Sequence, residues 1–182
     1  MIEIQKTPID GILILSNQIF YDDRGSFKKL LSKDMFDDLS LESCFMEMYY
    51  SVNKKNVIRG MHFQTPPFDH VKMVYVINGV ILDVCLDLRH NSKTFGNYFS
   101  CTISGNDSNY LYISKGIAHG FASLADNTIV HYAQTSCYSK EHDQGVKYDS
   151  FGFDWNITNP IISQRDSAFP GFADSIKRIL FL

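Results

Sequence analysis

One stretch, VKMVYVINGVILDVCLDLR (71–89), constrains the fold more than any other part of the chain. Two apolar, β-branched runs flank Asn78-Gly79, and both turn residues tolerate positive φ, so the stretch predicts two strands joined by a tight hairpin turn. The same grammar recurs on either side. CFMEMYYSV (44–52) and VIRGMHFQ (57–64) precede it; NYFSCTIS (97–104), a turn at Gly105-Asn106-Asp107, YLYI (110–113) and TIVHYAQTS (128–136) follow. Short strands at regular spacing with Gly, Asn and Asp between them predict an all-β sandwich or barrel, and ten Tyr and fourteen Phe lean the same way. Helix is scarce: SKDMFDDL (32–39) predicts one short helix with Ser32 as its N-cap, and FADSIKRILFL (172–182) a second. No repeat, linker or low-complexity segment divides the 182 residues, which are read as one domain.

The formal net charge is -3 with both signs interspersed, which excludes a nucleic-acid or membrane surface as the natural partner. The segment MIEIQKTPIDG lacks a basic region followed by an apolar core, and no apolar run approaches a membrane span. Cys44, Cys85, Cys101 and Cys137 show no CxxC spacing and are read as buried, reduced thiols, which predicts a cytoplasmic protein.

In such a fold the informative residues are polar ones within apolar strands. Lys72, Asp83, His119 and His62 are of this kind, with Arg59 beside them. Alternation places Gly60, His62 and Gln64 on one strand face and Lys72, Val74 and Val76 on one face of the next. Each alone is ordinarily a surface position or a hydrogen-bonded core group. Together they describe a cavity holding cations, imidazoles and a carboxylate.

The spacing resembles the cupin barrel, whose metal-binding members carry an HxH pair, a Glu before a Gly, and a further His in PxGxxH. Here the last element survives as Ser114-Lys115-Gly116-Ile117-Ala118-His119, but the pair is His62-Phe63-Gln64 and the Glu position is Lys72. A protonated Lys has no lone pair, so two of four ligands are gone and no metal is expected. His70 sits beside Asp69 in a turn and is expected to be exposed.

FYDDRGSF (20–27), VIRGMHFQTPPFDHVKMVYVINGVILDVCLDLRHNSKTFG (57–96), SKGIAHGFASL (114–124), VHYAQTSCYS (130–139) and SQRD (163–166) together resemble the dTDP-4-dehydrorhamnose 3,5-epimerases across nearly the whole chain. The resemblance implies a homodimeric, metal-free cupin jelly roll that uses no cofactor and acts on nucleotide-diphospho-4-keto-6-deoxy sugars. Epimerisation beside a ketone needs a base on one face of the ring, a proton donor on the other, and a stabilised enolate. The resemblance implies His62 as base, Asp166 as the carboxylate orienting it, Lys72 as the cation near the enolate oxygen and Tyr132 as the opposite-face donor. It implies Arg24 and Arg59 as diphosphate contacts, and His119, Ser51 and Gln64 as substrate contacts. Asp83 is expected to pair with a buried cation or imidazole. Tyr138 either stacks on the nucleotide base or merely packs.

Three positions depart from the family pattern: Lys29 where a Glu is usual, Glu47 for a Gln and Tyr49 for an Asn. They are read either as drift or, preferentially, as altered substrate recognition. Inversion at C3 alone or C5 alone of a CDP- or GDP-linked deoxyhexose or heptose is therefore the alternative activity. A non-catalytic sugar-nucleotide-binding cupin is the alternative of another class, and a sugar 3,4-ketoisomerase a third.

Overall fold

The computed structural model describes residues 2–177. In chain order these form β1 (Ile2–Lys6), β2 (Ile12–Asn17), β3 (Ile19–Asp22), β4 (Gly25–Lys28), α1 (Lys33–Asp38), β5 (Glu47–Asn53), β6 (Ile58–Gln64), β7 (Lys72–Asn78), β8 (Val80–Asp87), β9 (Tyr98–Ser104), β10 (Asn109–Ile113), β11 (Ile117–Ser123), β12 (Thr128–Gln134), β13 (Asp143–Gly145), α2 (Gln164–Ser167) and α3 (Phe172–Ser175). Six strands make one sheet in the order β1-β2-β10-β7-β12-β5, and five make another in the order β13-β6-β11-β8-β9. Their strand pairs are antiparallel. The two sheets face one another as an all-β jelly roll, with β3 and β4 forming a separate hairpin.

The core lies between the sheets. Val74 and Val76 of β7, Leu111 and Ile113 of β10 and Val130 of β12 meet Ile81 and Cys85 of β8, Ile103 of β9 and Phe121 of β11. The central strands of both sheets are covered on their outer faces too. The outer face of the five-stranded sheet presents Val84, Leu86, Ala118 and Phe63 to a cap that includes Val146 and Trp155. On the other side, Met73, Tyr110 and Tyr112 of the six-stranded sheet pack on Phe36 of α1. Burial on both faces explains why 71–89 reads as a nearly unbroken apolar run instead of alternating.

The joint at Asn78-Gly79 is a corner, not a hairpin. β7 pairs with β10 and β12, whereas β8 pairs with β11 and β9, so the chain crosses from one sheet to the other there. The apolar residues Val74 and Val76 of β7 and Ile81 and Cys85 of β8 thereby share one core. The local conformation is nonetheless the expected one: Gly79 has φ 84°, and a Cβ there would lie 2.3 Å from Thr128 Oγ1 and 2.9 Å from Thr128 Cα. The Gly105-Asn106-Asp107 turn likewise joins β9 to β10 across the two sheets.

Other expectations also needed correction. Ser32 occupies the N-cap position of α1, but its side chain makes no capping hydrogen bond. The expected C-terminal helix begins as α3, while residues 178–182 of that expectation lie outside the described residues. Cys85 is buried and Cys101 half-buried, but Cys44 and Cys137 are exposed, because they lie in connecting segments before β5 and after β12; all four are free thiols.

Candidate active site

A cavity of about 410 Å³ opens between the sheets, with residues of β6, β7 and β11 along its floor and β5 and β12 along one wall. Strand β6 delivers Arg59, His62 and Gln64 to it. Strands β6 and β11 approach closely at their glycines: a Cβ on Gly60, which has φ 128°, would lie 2.5 Å from Gly120 Cα. This contact and the adjoining register shift place His62 directly opposite His119. The bland side chain is therefore as necessary here as the reactive ones.

Each imidazole is held by a carboxylate. His62 Nε2 lies 3.0 Å from Asp166 Oδ1, and the other oxygen of Asp166 accepts from Gly60 N at 3.1 Å. Asp166 sits in α2, whose N-cap Ser163 accepts from Asp166 N. The preceding segment is tied down by Ile58 N donating to Ile161 O and Ile161 N donating to Asn56 O. The SQRD motif is thus fastened to the strand carrying the base. Burial opposes the Asp166 charge, but the His62 and Gly60 hydrogen bonds hold its carboxyl below the usual range. Burial pulls the His62 pKa down, against the pull of Asp166, and nearby Lys72 and Arg165 lower it further. A neutral imidazole with Nε2 directed at a carboxylate leaves Nδ1 as the lone-pair nitrogen, the state a general base requires. The second pair, His119 Nε2 with Asp83 Oδ2 at 2.7 Å, is almost fully buried, so Asp83 pairs with an imidazole as expected.

Lys72 is buried, yet its ammonium makes no hydrogen bond or ion pair with any described residue. No fully buried polar side-chain atom among the described residues lacks a partner, so its ammonium is open to the cavity. Burial pulls its pKa down to about 8, while Cys85, Asp143 and Asp83 act in the opposite sense. A buried cation without a direct ion pair is a strong stabiliser of a developing oxyanion.

The opposite wall holds Tyr132. Its hydroxyl lies 3.3 Å from Ser51 Oγ; Ser51 Oγ accepts from Asn53 Nδ2 at 3.0 Å, and Asn53 Oδ1 accepts from Arg59 Nε at 2.7 Å. The Arg59 terminal nitrogens remain free of partners within the described residues, a fork suited to phosphate oxygens. Burial raises the Tyr132 pKa far above that of an ordinary phenol, with Ser51 working the other way, so the proton stays on until it is needed. The ring stacks on Tyr49, with centroids 4.8 Å apart and planes 21° apart.

The other expected residues are distributed unevenly. Glu47 and Tyr138 stand at the cavity mouth, where Tyr138 N donates to Glu47 Oε2 at 2.6 Å. Gln64 reaches the wall, but its amide donates to Phe68 O and Cys137 O and accepts from Ser139 N, bracing two loops. Arg24 and Lys29 do not line this cavity. Arg24 is at the tip of the β3–β4 hairpin, its side chain 90% exposed and paired with Asp22, and Lys29 is exposed just beyond it. His70 is not exposed: the 64–70 loop folds inward and places it on the cavity wall, its Nδ1 3.2 Å from both Phe68 O and Ser136 Oγ. Burial lowers its pKa to about 3. Asn53 and the Arg165–Asp143 pair, 2.6 Å apart, were missed by sequence reasoning. A buried Asn ending a strand was the available signal for the first; the second had none.

The family profile of dTDP-4-dehydrorhamnose 3,5-epimerase matches residues 6–174. The chain belongs to that family. It is 36% identical over 166 residues to the dTDP-4-dehydrorhamnose 3,5-epimerase of Methanothermobacter thermautotrophicus, covering 88% of this chain and 89% of the relative. It is 31% identical over 173 residues to that of Shigella flexneri, covering 93% and 96%. Among solved structures, that of the Bacillus anthracis epimerase, with TDP and PPi bound, superposes with a TM-score of 0.91 at 32% identity, covering 94% of this chain and 100% of the other. The Legionella pneumophila dTDP-6-deoxy-D-glucose-3,5-epimerase, in complex with dTDP-4-keto-L-rhamnose, gives 0.92 at 28% identity, covering 100% and 99%. The epimerase motifs thus fall where the cavity is, apart from FYDDRGSF, which forms the separate hairpin.

Proposed function

We propose that this chain is an isomerase, a 3,5-epimerase of a nucleotide-diphospho-4-keto-6-deoxy sugar, in which His62 removes the proton and Tyr132 returns one from the other side. The observation that carries the reading is the placement of these two groups on opposite sheets, His62 on the five-stranded and Tyr132 on the six-stranded one, both lining a cavity that Lys72 also lines. A sugar ring lying between the walls presents one face to each. The C–H bond breaks with its proton going to His62, and its electron pair moves into the enolate whose oxygen Lys72 stabilises. The Tyr132 O–H then donates to the opposite face of that carbon, and solvent exchange restores both groups. Repeating the sequence at the second carbon flanking the ketone inverts both centres. Arg59 meets the diphosphate and His119 contacts the sugar.

Structures of relatives that hold TDP, or a dTDP-linked 4-keto sugar, support dTDP as the nucleotide. A one-centre epimerase of a CDP- or GDP-linked sugar is the second reading, favoured by Glu47 and Tyr49 on the wall. Incubating the protein with dTDP-, CDP- and GDP-linked 4-keto-6-deoxy sugars in heavy water, followed by mass spectrometry, decides. Two deuterons on the dTDP sugar are expected; one deuteron, or uptake on another nucleotide, selects the second reading, and uptake on none overturns both.

The functional unit is proposed to be a homodimer in the cytoplasm. Support comes from apolar residues left exposed on the outer face of the terminal strand β5, namely Met48, Tyr50 and Val52, and from Phe20, Tyr21 and Phe27 on the β3–β4 hairpin. The same hairpin carries Arg24, which a second subunit would bring to a neighbouring cavity. A monomer by light scattering would refute this. The four free thiols, and the absence of any described helix long and apolar enough to cross a membrane, are consistent with the compartment.

A further inference from the structure

We propose that Tyr49 is a positioning residue for the proton donor, fixing the plane of the Tyr132 ring so that its hydroxyl meets the enolate from one side only. The inference rests on the assignment of His62 and Tyr132 above. Three observations carry it. Tyr49 and Tyr132 are directly opposed across the β5–β12 pair, and their rings stack at 4.8 Å. The Tyr49 hydroxyl donates to Gln134 Oε1 at 3.3 Å; Gln134 is buried two residues beyond Tyr132 on the same face of β12. The remaining sides of the Tyr132 ring are closed by His119 and Phe121, with centroids at 6.4 Å each, and the hydroxyl is tethered to Ser51. Of these contacts the Tyr49 ring is the parallel, close one, so it controls rotation of the phenol out of line. Through this contact and the Ser51 tether, the terminal strand β5 reaches the proton donor.

An enolate has two fates. Protonation by Tyr132 inverts the carbon, leaving a phenolate that solvent reprotonates; return of a proton by His62 restores the starting sugar, carrying deuterium if His62 has exchanged with heavy water. Loosening Tyr132 shifts the partition towards return without touching the base. The test is the ratio of deuterium in recovered substrate to deuterium in inverted product, measured by NMR and mass spectrometry in heavy water. An aromatic pair is worth roughly 0.5–1.5 kcal/mol beyond its burial, so Tyr49→Ala is expected to raise the ratio by roughly two- to thirteenfold. Tyr49→Phe, which keeps the stack and loses the Gln134 bond, should stay within about twofold of the parent, because a neutral hydrogen bond as long as 3.3 Å lies at the lower end of the usual range, about 0.5 kcal/mol. A parallel fall of exchange and inversion in Tyr49→Ala, with the ratio unchanged, would mean a merely structural ring and overturn the proposal. So would a Tyr49→Phe variant as perturbed as Tyr49→Ala. If the parent itself exchanges no proton with any of the sugars, the assignment of His62 and Tyr132 fails and takes this inference with it. Exchange with normal inversion in the parent separates the two failures.

Discussion

Replacing Asp166 by Asn tests the base most directly. Asn keeps the shape and preserves an acceptor for Gly60 N, now bound at 3.1 Å, but removes the charge 3.0 Å from His62 Nε2. At an effective dielectric near 20, two unit charges about 4 Å apart attract by about 4 kcal/mol. That attraction is realised only as the imidazole gains its proton, and burial already disfavours the imidazolium. If half of it is expressed at the transition state, kcat falls about 30-fold, and if all of it is, about 1,000-fold. Arg59, Lys72 and Ser51 are untouched, so KM should stay within about threefold, under 1 kcal/mol on the same scale. The assay is initial-rate deuterium uptake by mass spectrometry across pH, with substrate varied. The acid limb of the kcat profile should also move to lower pH, because loss of the carboxylate, which raises the His62 pKa, pulls that pKa down further. Unaltered kcat, or a loss confined to KM, would refute the dyad. The substitution also affects stability. The Asp166 pKa is lowered in the folded state, so the charge contributes stability above the unfolded carboxylate range and loses it as pH falls through the folded value; the melting difference between parent and variant should therefore shrink in acid.

Three further outcomes are expected. Because the folded Lys72 pKa is lowered to about 8, its charge disappears as pH rises through that value, and kcat should decline above about pH 8 in the parent while Lys72→Met is slow and lacks that limb; a parent profile flat to pH 9.5 would remove Lys72 as the oxyanion cation. Tyr132→Phe should lose inversion by at least about 100-fold, the usual size of general acid catalysis, while retaining exchange of the proton that His62 removes; full epimerisation would discard it as the donor. Gly79→Ala should cost about 1–3 kcal/mol, since it forces a side chain to φ 84° against Thr128, and lower Tm by several degrees in calorimetry; an unchanged Tm would show that the corner relaxes freely.

Seven strands between residues 44 and 136 were legible because their apolar runs and turn residues carry period and punctuation, whereas β11 was marked only by His119 in its apolar surroundings and the three-residue β13 was missed. What could not be read was pairing. Asn78-Gly79 demands a left-handed residue whether the chain reverses within a sheet or turns a corner between two, and only the opposed burial of Val74 and Val76 against Ile81 and Cys85 decides. Strands β1, β3 and β4 were missed because β1 is mostly exposed and β3 and β4 bury nothing fully, and β2 was missed although Ile12, Leu15 and Asn17 are buried, because they do not keep a regular period of two. At the site, His62 and Lys72 stood out as polar residues within apolar strands. Asp166 did not: a solvated loop carboxylate and one hydrogen-bonded to a base have the same local sequence, and only the family motif distinguished them. His70 was misplaced because a turn next to Asp69 and two prolines reads as surface, whereas the loop turns inward on the Gln64 amide. Cys44 and Cys137 were misread for the opposite reason, since apolar neighbours in sequence do not guarantee apolar neighbours in space.

Two of the three residues that depart from the family, Glu47 and Tyr49, lie on β5, a strand ending its sheet and held on one side by β12 alone. Glu47, Tyr49 and Ser51 alternate along its inner face and line the cavity, yet none belongs to the packed interior. Shape selection and structural support are therefore carried by different strands. A combinatorial library confined to positions 47, 49 and 51 would redraw the sugar's berth while leaving the base, its carboxylate and the folding free energy close to those of the parent, so divergence within this lineage has an inexpensive route through a single peripheral ribbon.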